Sequence, residues 1–228
     1  MAEFFRLLSV WALPVLVAIT FHEAAHGFVA WKLGDDTAYR QNRVSFNPLN
    51  HIDPFGTVLL PLFLLLAHAP FMFGYAKPVP VNFGRLRKPK RDMVWVALAG
   101  PGINMILAVV AGLLIHLVVV LPNMAQSWWV LNMDNAIQIN LLLALFNMFP
   151  LPPLDGGRVA VGILPLPLAR PLARLEPYGF IILLGLLFLL PWIGQSLGRD
   201  WNFMAWFILP PFEAMYEFIL NHVVGIAT

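Results

Sequence analysis

Five apolar runs, bounded by charge, proline or glycine, divide the chain at roughly 7 to 33, 93 to 121, 136 to 163, 177 to 192 and 203 to 221. Each approaches the length that a helix needs to cross a bilayer, about 20 apolar residues. A sixth run, Phe55 to Phe73, is interrupted by Pro61 and Pro70, and Ala67-His68-Ala69-Pro70 reads as a bend, so the run either spans or folds back on itself. The pattern predicts an all-α polytopic membrane protein of about five to six transmembrane segments. No internal repeat or low-complexity linker divides it, and residues 1–228 read as one membrane-embedded domain, with a core at about 7–163 and accessory spans at about 177–221.

Composition strengthens this picture. Hydrophobic residues make up 60% and charged residues only 11%, against about 25% charged in a soluble domain, and the mean hydropathy is +0.76. The lipid bilayer is the expected surrounding, no nucleic-acid partner is expected, and nothing speaks for an oligomeric state. The runs are too long for a cleaved signal peptide. With no cysteine, thiolate ligands and disulfides are excluded, which leaves His, Asp and Glu as metal ligands. Lys77, Arg85, Arg87, Lys88, Lys90 and Arg91 put their loop on the cytoplasmic side, and Lys32, Arg40 and Arg43 favour the same side for residues 34 to 53.

Two fragments break the apolar pattern where a bilayer tolerates polarity least. His22-Glu23-Ala24-Ala25-His26 interrupts the first run, and Leu154-Asp155-Gly156-Gly157 lies in the third. Imidazoles four residues apart share one helix face and can grip one metal ion, and the carboxylate between them can activate water there. An unpaired ionisable side chain near a membrane helix centre costs about 2.5 to 3.5 kcal/mol on insertion scales, so this cluster needs a compensating partner. Zinc supplies one; a polar cluster satisfied by hydrogen bonds is the other reading. Asp155 follows Phe149-Pro150-Leu151-Pro152-Pro153-Leu154, whose prolines break a helix. Unwound backbone beside Gly156 and Gly157 lets the chain approach closely, so the carboxylate either completes a site of two His and one Asp or merely caps a helix.

Depth bears on the sixth run. Counted from Leu7, His22 lies 15 residues along, about 22 Å at 1.5 Å per residue, nearer the exit than the entry. Asp155, 19 residues beyond Ala136, is also near an exit. For the two to meet, their segments must cross in the same direction. The run at 93 to 121 and the Asp155 segment supply an even number of crossings, so 55 to 73 is expected as a re-entrant hairpin and the site is expected in the cytoplasmic half of the bilayer.

Together His22 to His26, Gly100-Pro101-Gly102-Ile103-Asn104 and Asn147-Met148-Phe149-Pro150 running on to Gly157 resemble the site-2 protease family of intramembrane zinc metalloproteases over about residues 20 to 160. Asn47 to Thr57 and Ala76 to Asn82 are similar to its small prokaryotic branch, and no PDZ-like or CBS-like insertion is present. The resemblance implies His22, His26 and Asp155 as ligands of one Zn2+ per chain, Glu23 as general base, and Asn147 and Asn104 as substrate-binding residues. Helix packing beside Gly100 and Gly102 accounts nearly as well for Asn104; Asn140 reads as structural. The resemblance further implies a multi-pass endopeptidase of the inner (cytoplasmic) membrane that cuts the transmembrane segments of single-span membrane proteins in regulated intramembrane proteolysis. Short β-strands are expected between the first span and the Gly100 to Asn104 span. Lys77 to Asn82 reads as a one-sided edge strand, because Pro78 and Pro80 lack donors while Val79 and Val81 keep theirs; in the family, comparable strands present substrate in extended form.

His51 and Asp53 either cap a turn or join the active site, and His68, His116 and His222 read as incidental. Two other functions stay open. A metal transporter would distribute its ionisable groups along a pathway and often repeat its halves; a non-proteolytic zinc membrane hydrolase would share the zinc chemistry.

Overall fold

A computed structural model describes residues 2–59, 63 and 77–225 of the chain, with side chains from Phe5 onward except those of 57 and 58. The helices are α1 (Ala2–Lys32), the short α2 (Thr37–Arg40), α3 (Pro89–Ile115), α4 (Asn123–Asn147), α5 (Asp155–Ile163), α6 (Leu166–Ala173), α7 (Gly179–Leu184), α8 (Leu190–Ser196) and α9 (Leu209–Ile219). α3 opens on Pro89, where a missing N–H leaves no intrahelical bond unmade, and it tightens into a 3₁₀ stretch at His116–Val120.

Four stretches are long and apolar enough to cross a membrane: Phe5–Lys32, Pro89–Val120, Asn123–Asn147 and Leu166–Ser196. This corrects the expected five to six. The run at 136 to 163 does not hold together: α4 starts earlier, at Asn123, and ends at Asn147, and the proline-rich break separates it from α5. The run at 203 to 221 is helical, but Pro210, Pro211, Glu213 and Glu217 dilute its apolarity, and it is not among the four. Most of 55 to 73, and with it the expected hairpin and His68, lies outside the described residues.

Short β-strands were also expected, and none occurs among the described residues. The physical reason lies in 77–82. Two of its six residues are prolines, and the Val79 N–H, free to pair with a neighbouring strand, donates instead to the Glu23 carboxylate at 2.7 Å.

α3 is the hub, packing on α1, α4 and α5, and α1 also packs on α4. Side-chain pairs fix the directions. His22 meets Asn104 and His26 meets Val96, so α1 and α3 are antiparallel. Asn135 donates to Val10 O at 3.0 Å, and Asn104 ties Ala18 O to Asn140, so α1 and α4 run the same way. Ala108, Ala111, Ile137, Leu141, Ile219 and Val224 form a buried cluster joining α3, α4 and the end of the chain's last helical stretch. Small residues on α3 permit that approach, which in lipid is driven by close packing.

Candidate metal centre

His22 and His26 project from one face of α1, one turn apart, as their spacing dictates. α3 meets that face with a stripe of its own at Val96, Gly100 and Asn104, each four residues on. At one end His22 Nδ1 bonds Asn104 Oδ1 at 2.5 Å; at the other His26 Nδ1 donates to Val96 O at 2.7 Å. Between them Gly100 supplies bare backbone. A Cβ built there would stand 2.5 Å from His26 Nε2 and 2.6 Å from His22 Nε2.

The amide of Asn104 has one orientation open to it. Its Nδ2 donates to Ala18 O at 3.2 Å and to Asn140 Oδ1 at 2.7 Å, while Asn140 Nδ2 donates to Ala136 O at 2.8 Å. Two backbone carbonyls, which can only accept, therefore set both amides, and Asn104 Oδ1 faces His22 as an acceptor. Nδ1 is thus the donor in both histidines, toward Asn104 Oδ1 and Val96 O, and each neutral ring presents a lone pair on Nε2.

Those lone pairs converge. The two Nε2 atoms are 3.0 Å apart, and Asp155 Oδ2 lies 3.2 Å from each. His22, His26 and Asp155 are all buried, and Asp155 Oδ2 has no hydrogen-bond donor. With both rings neutral these are three acceptor atoms, which repel one another unless a cation joins them. Tetrahedral zinc ligands at about 2.0 to 2.1 Å from the metal stand about 3.3 Å apart, close to the separations found. The orphaned carboxylate oxygen and the two-nitrogen, one-oxygen donor set fit a zinc ion.

Asp155 reaches this point because the chain breaks before it. Residues 148–154 leave helix, and α5 begins at Asp155 with Leu154 as its cap residue and no side-chain cap bond, so capping does not occupy the carboxylate. A Cβ on Gly156 would come within 2.1 Å of Met148 O, and one on Gly157 within 2.1 Å of Pro152 N. Only glycine lets α5 seat so closely against the proline-rich turn.

Glu23 is half-buried beside His22, and its Oε2 accepts from Val79 N at 2.7 Å. Asn147 is half-buried, and its Nδ2 bonds Leu143 O at 3.0 Å within α4. Asp53 takes the capping alternative, since Oδ1 accepts from Phe55 N at 3.0 Å and Gly56 N at 2.7 Å. Buried His51 bonds Ser45 O through Nε2 at 2.8 Å and lies outside the candidate metal-binding group of His22, His26 and Asp155. His116 and His222 bond backbone carbonyls of the last helical stretch.

Sequence reasoning missed the Val96 carbonyl, the contact of Gly100 with both imidazoles, the relay through Asn140, and the Val79 amide. The four-residue spacing of Val96, Gly100 and Asn104 was the signal for the first two. No comparable signal marks the others, which depend on groups 36 and 56 residues apart in sequence.

No protein-family model matches the chain, and no solved structure matches it. Among curated proteins, "Putative zinc metalloprotease YwhC" of Bacillus subtilis (strain 168) is 38% identical over 218 residues, covering 91% of this chain and 93% of that protein. "Putative zinc metalloprotease Rip2" of Mycolicibacterium smegmatis is 29% identical over 205 residues, 89% of this chain and 70% of that protein. Rip2 of Mycobacterium tuberculosis (strain H37Rv) is 28% identical over 176 residues, 77% and 65% respectively.

Proposed function

The chain belongs to the zinc metalloprotease family of YwhC, and on that premise we propose that it is an intramembrane endopeptidase of the site-2 type, cutting transmembrane segments of single-span membrane proteins. One observation carries the reading: three buried side chains with the donor set of a zinc site, His22, His26 and Asp155, converge inside a bundle of membrane-length helices. One Zn2+ per chain is held by these residues. When bound, zinc lowers the pKa of water towards 7 and polarises a carbonyl.

The protein's own groups do the rest. Glu23 takes the proton from the attacking water and passes it to the leaving amine. Its half-buried position beside His22 suits that role. Asn147 keeps an amide oxygen for the backbone of an extended substrate. Asn104 is wholly buried with its amide spent on His22, Ala18 and Asn140, so its part is to hold His22. A helix shields its own peptide bonds, so substrate must be extended at the cut. The basic residues of the loop at 77–91 favour the cytoplasmic side of an inner membrane for the site, in keeping with regulated intramembrane proteolysis.

The test is cleavage of a panel of single-span model substrates by purified protein in detergent, with bound zinc measured for the intact chain and for Glu23→Gln. Cleavage lost with zinc retained is the expected result. Well-folded intact protein that holds no zinc defeats the reading. Zinc held with no substrate cut favours a transporter or a non-proteolytic hydrolase.

A further inference from the structure

The segment 77–82 is pinned at four places, and one pin is the proposed general base. Lys77 N donates to His51 O at 2.9 Å and Asn82 N to Asp35 Oδ2 at 2.6 Å. Between them Arg43 Nη2 donates to Lys77 O at 2.6 Å and Pro78 O at 3.3 Å. Arg43 is buried, and its Nε has no partner. Burying a guanidinium with part of its donor set unmet is costly, so the grip on these two carbonyls has to be worth more than a loop tie at the surface.

The chemistry of residues 78–80 says what is gripped. Pro78 and Pro80 have no N–H, so Val79 carries the one main-chain donor of the three. Pro80 also confines Val79 to extended backbone. That single donor is spent on Glu23 Oε2, 2.7 Å away. The Val79 side chain is buried against α1, where a Cβ on Gly27 would lie 3.0 Å from Val79 Cγ1. Packing thus holds Val79 on the helix that bears Glu23, while Arg43 holds the carbonyls just before it.

We infer that the Val79 amide, clamped by Arg43, is a positioning group for the general base. It fixes Glu23 through Oε2 and leaves Oε1 to take the proton of water. The inference rests on the reading of Glu23 as base, and it deepens that reading by adding Val79 N–H and Arg43 to the machinery. A carboxylate on three rotatable bonds samples many orientations, and a misplacement of about 1 Å at a reacting group costs about 100-fold in rate.

Two measurements separate this role from simple loop support. The first needs no activity: amide-resolved hydrogen exchange of the full chain in detergent. The Val79 amide is expected to be protected in the parent and to lose protection in both Glu23→Ala and Arg43→Gln, with Arg43→Lys recovering part of it. A Val79 amide that exchanges freely in the parent, or stays protected in both variants, overturns the inference. The second compares Val79→Pro, which deletes the donor on an already extended backbone, with Val79→Ala, which keeps the donor and sets the scale of lost packing. On a model single-span substrate that the parent cuts, kcat of Val79→Pro is expected about 100-fold below that of Val79→Ala, with KM within about threefold and bound zinc equal. Equal kcat in the two variants overturns the inference. A parent that cuts nothing overturns the peptidase reading instead, while the exchange result still decides whether Val79 and Arg43 hold Glu23.

Discussion

A methyl group on Gly100 would stand 2.5 Å from His26 Nε2 and 2.6 Å from His22 Nε2, inside the space where both imidazoles turn their lone pairs. Gly100→Ala is therefore expected to lower zinc affinity about 100-fold, as strongly as losing an outer-shell partner does at its worst; chelator competition on folded protein would read it. Affinity equal to the parent's would mean that the rings do not sit on this face of α3. Asn104→Leu removes the acceptor that fixes the His22 tautomer and should cost about 10- to 100-fold in the same assay. Asn140→Leu acts only through Asn104 and should cost less; a larger loss at Asn140 than at Asn104 would refute the relay. The pairing of the two histidines was legible because their four-residue spacing is one helix turn. Gly100 was marked only by its four-residue spacing from Asn104, which leaves open whether a glycine faces the histidines or simply lies between two helices.

Among the elements, the break between α4 and α5 carries the site's third arm. Gly156→Ala would bring a Cβ to 2.1 Å from Met148 O, whereas a Cβ on Gly102 meets nothing within 4 Å. The first change is expected to destabilise by about 1 to 3 kcal/mol, the usual cost of overpacking, and to release zinc as α5 lifts. The second should shift stability by no more than about 0.5 kcal/mol. Thermal midpoints in detergent, read together with bound zinc, check both; a stable, zinc-loaded Gly156→Ala would show that α5 does not need this contact. The prolines announced the break, because a missing N–H is a local fact. The span at 136 to 163 was misread because hydropathy is continuous across it while the backbone is not. The strand was misread because a ladder needs a partner, and the Val79 donor found a carboxylate instead.

For the whole molecule, the directions of α1, α3 and α4 predict that α3 crosses the bilayer once between the basic loop and the turn before α4. The absence of native cysteine allows a direct check with Arg87→Cys and Met124→Cys, both at exposed positions. A membrane-impermeant maleimide should label the first from the cytoplasmic side and the second from the opposite side; labelling of both from one side would overturn the crossing and, with it, the meeting of α1 and α4 beside the candidate metal site. The sequence by itself determined the membrane class, the predominantly helical character, the pairing of His22 with His26 and the break before Asp155, because hydropathy, the four-residue helical repeat and the proline ring all act over a few neighbouring residues. Only the tertiary structure decided that Asp155 meets the histidines rather than capping α5, that Asn104 turns to His22, and that Val79 reaches Glu23. Each of these contacts joins groups tens of residues apart, and which donor finds which acceptor across such a distance depends on how whole helices pack.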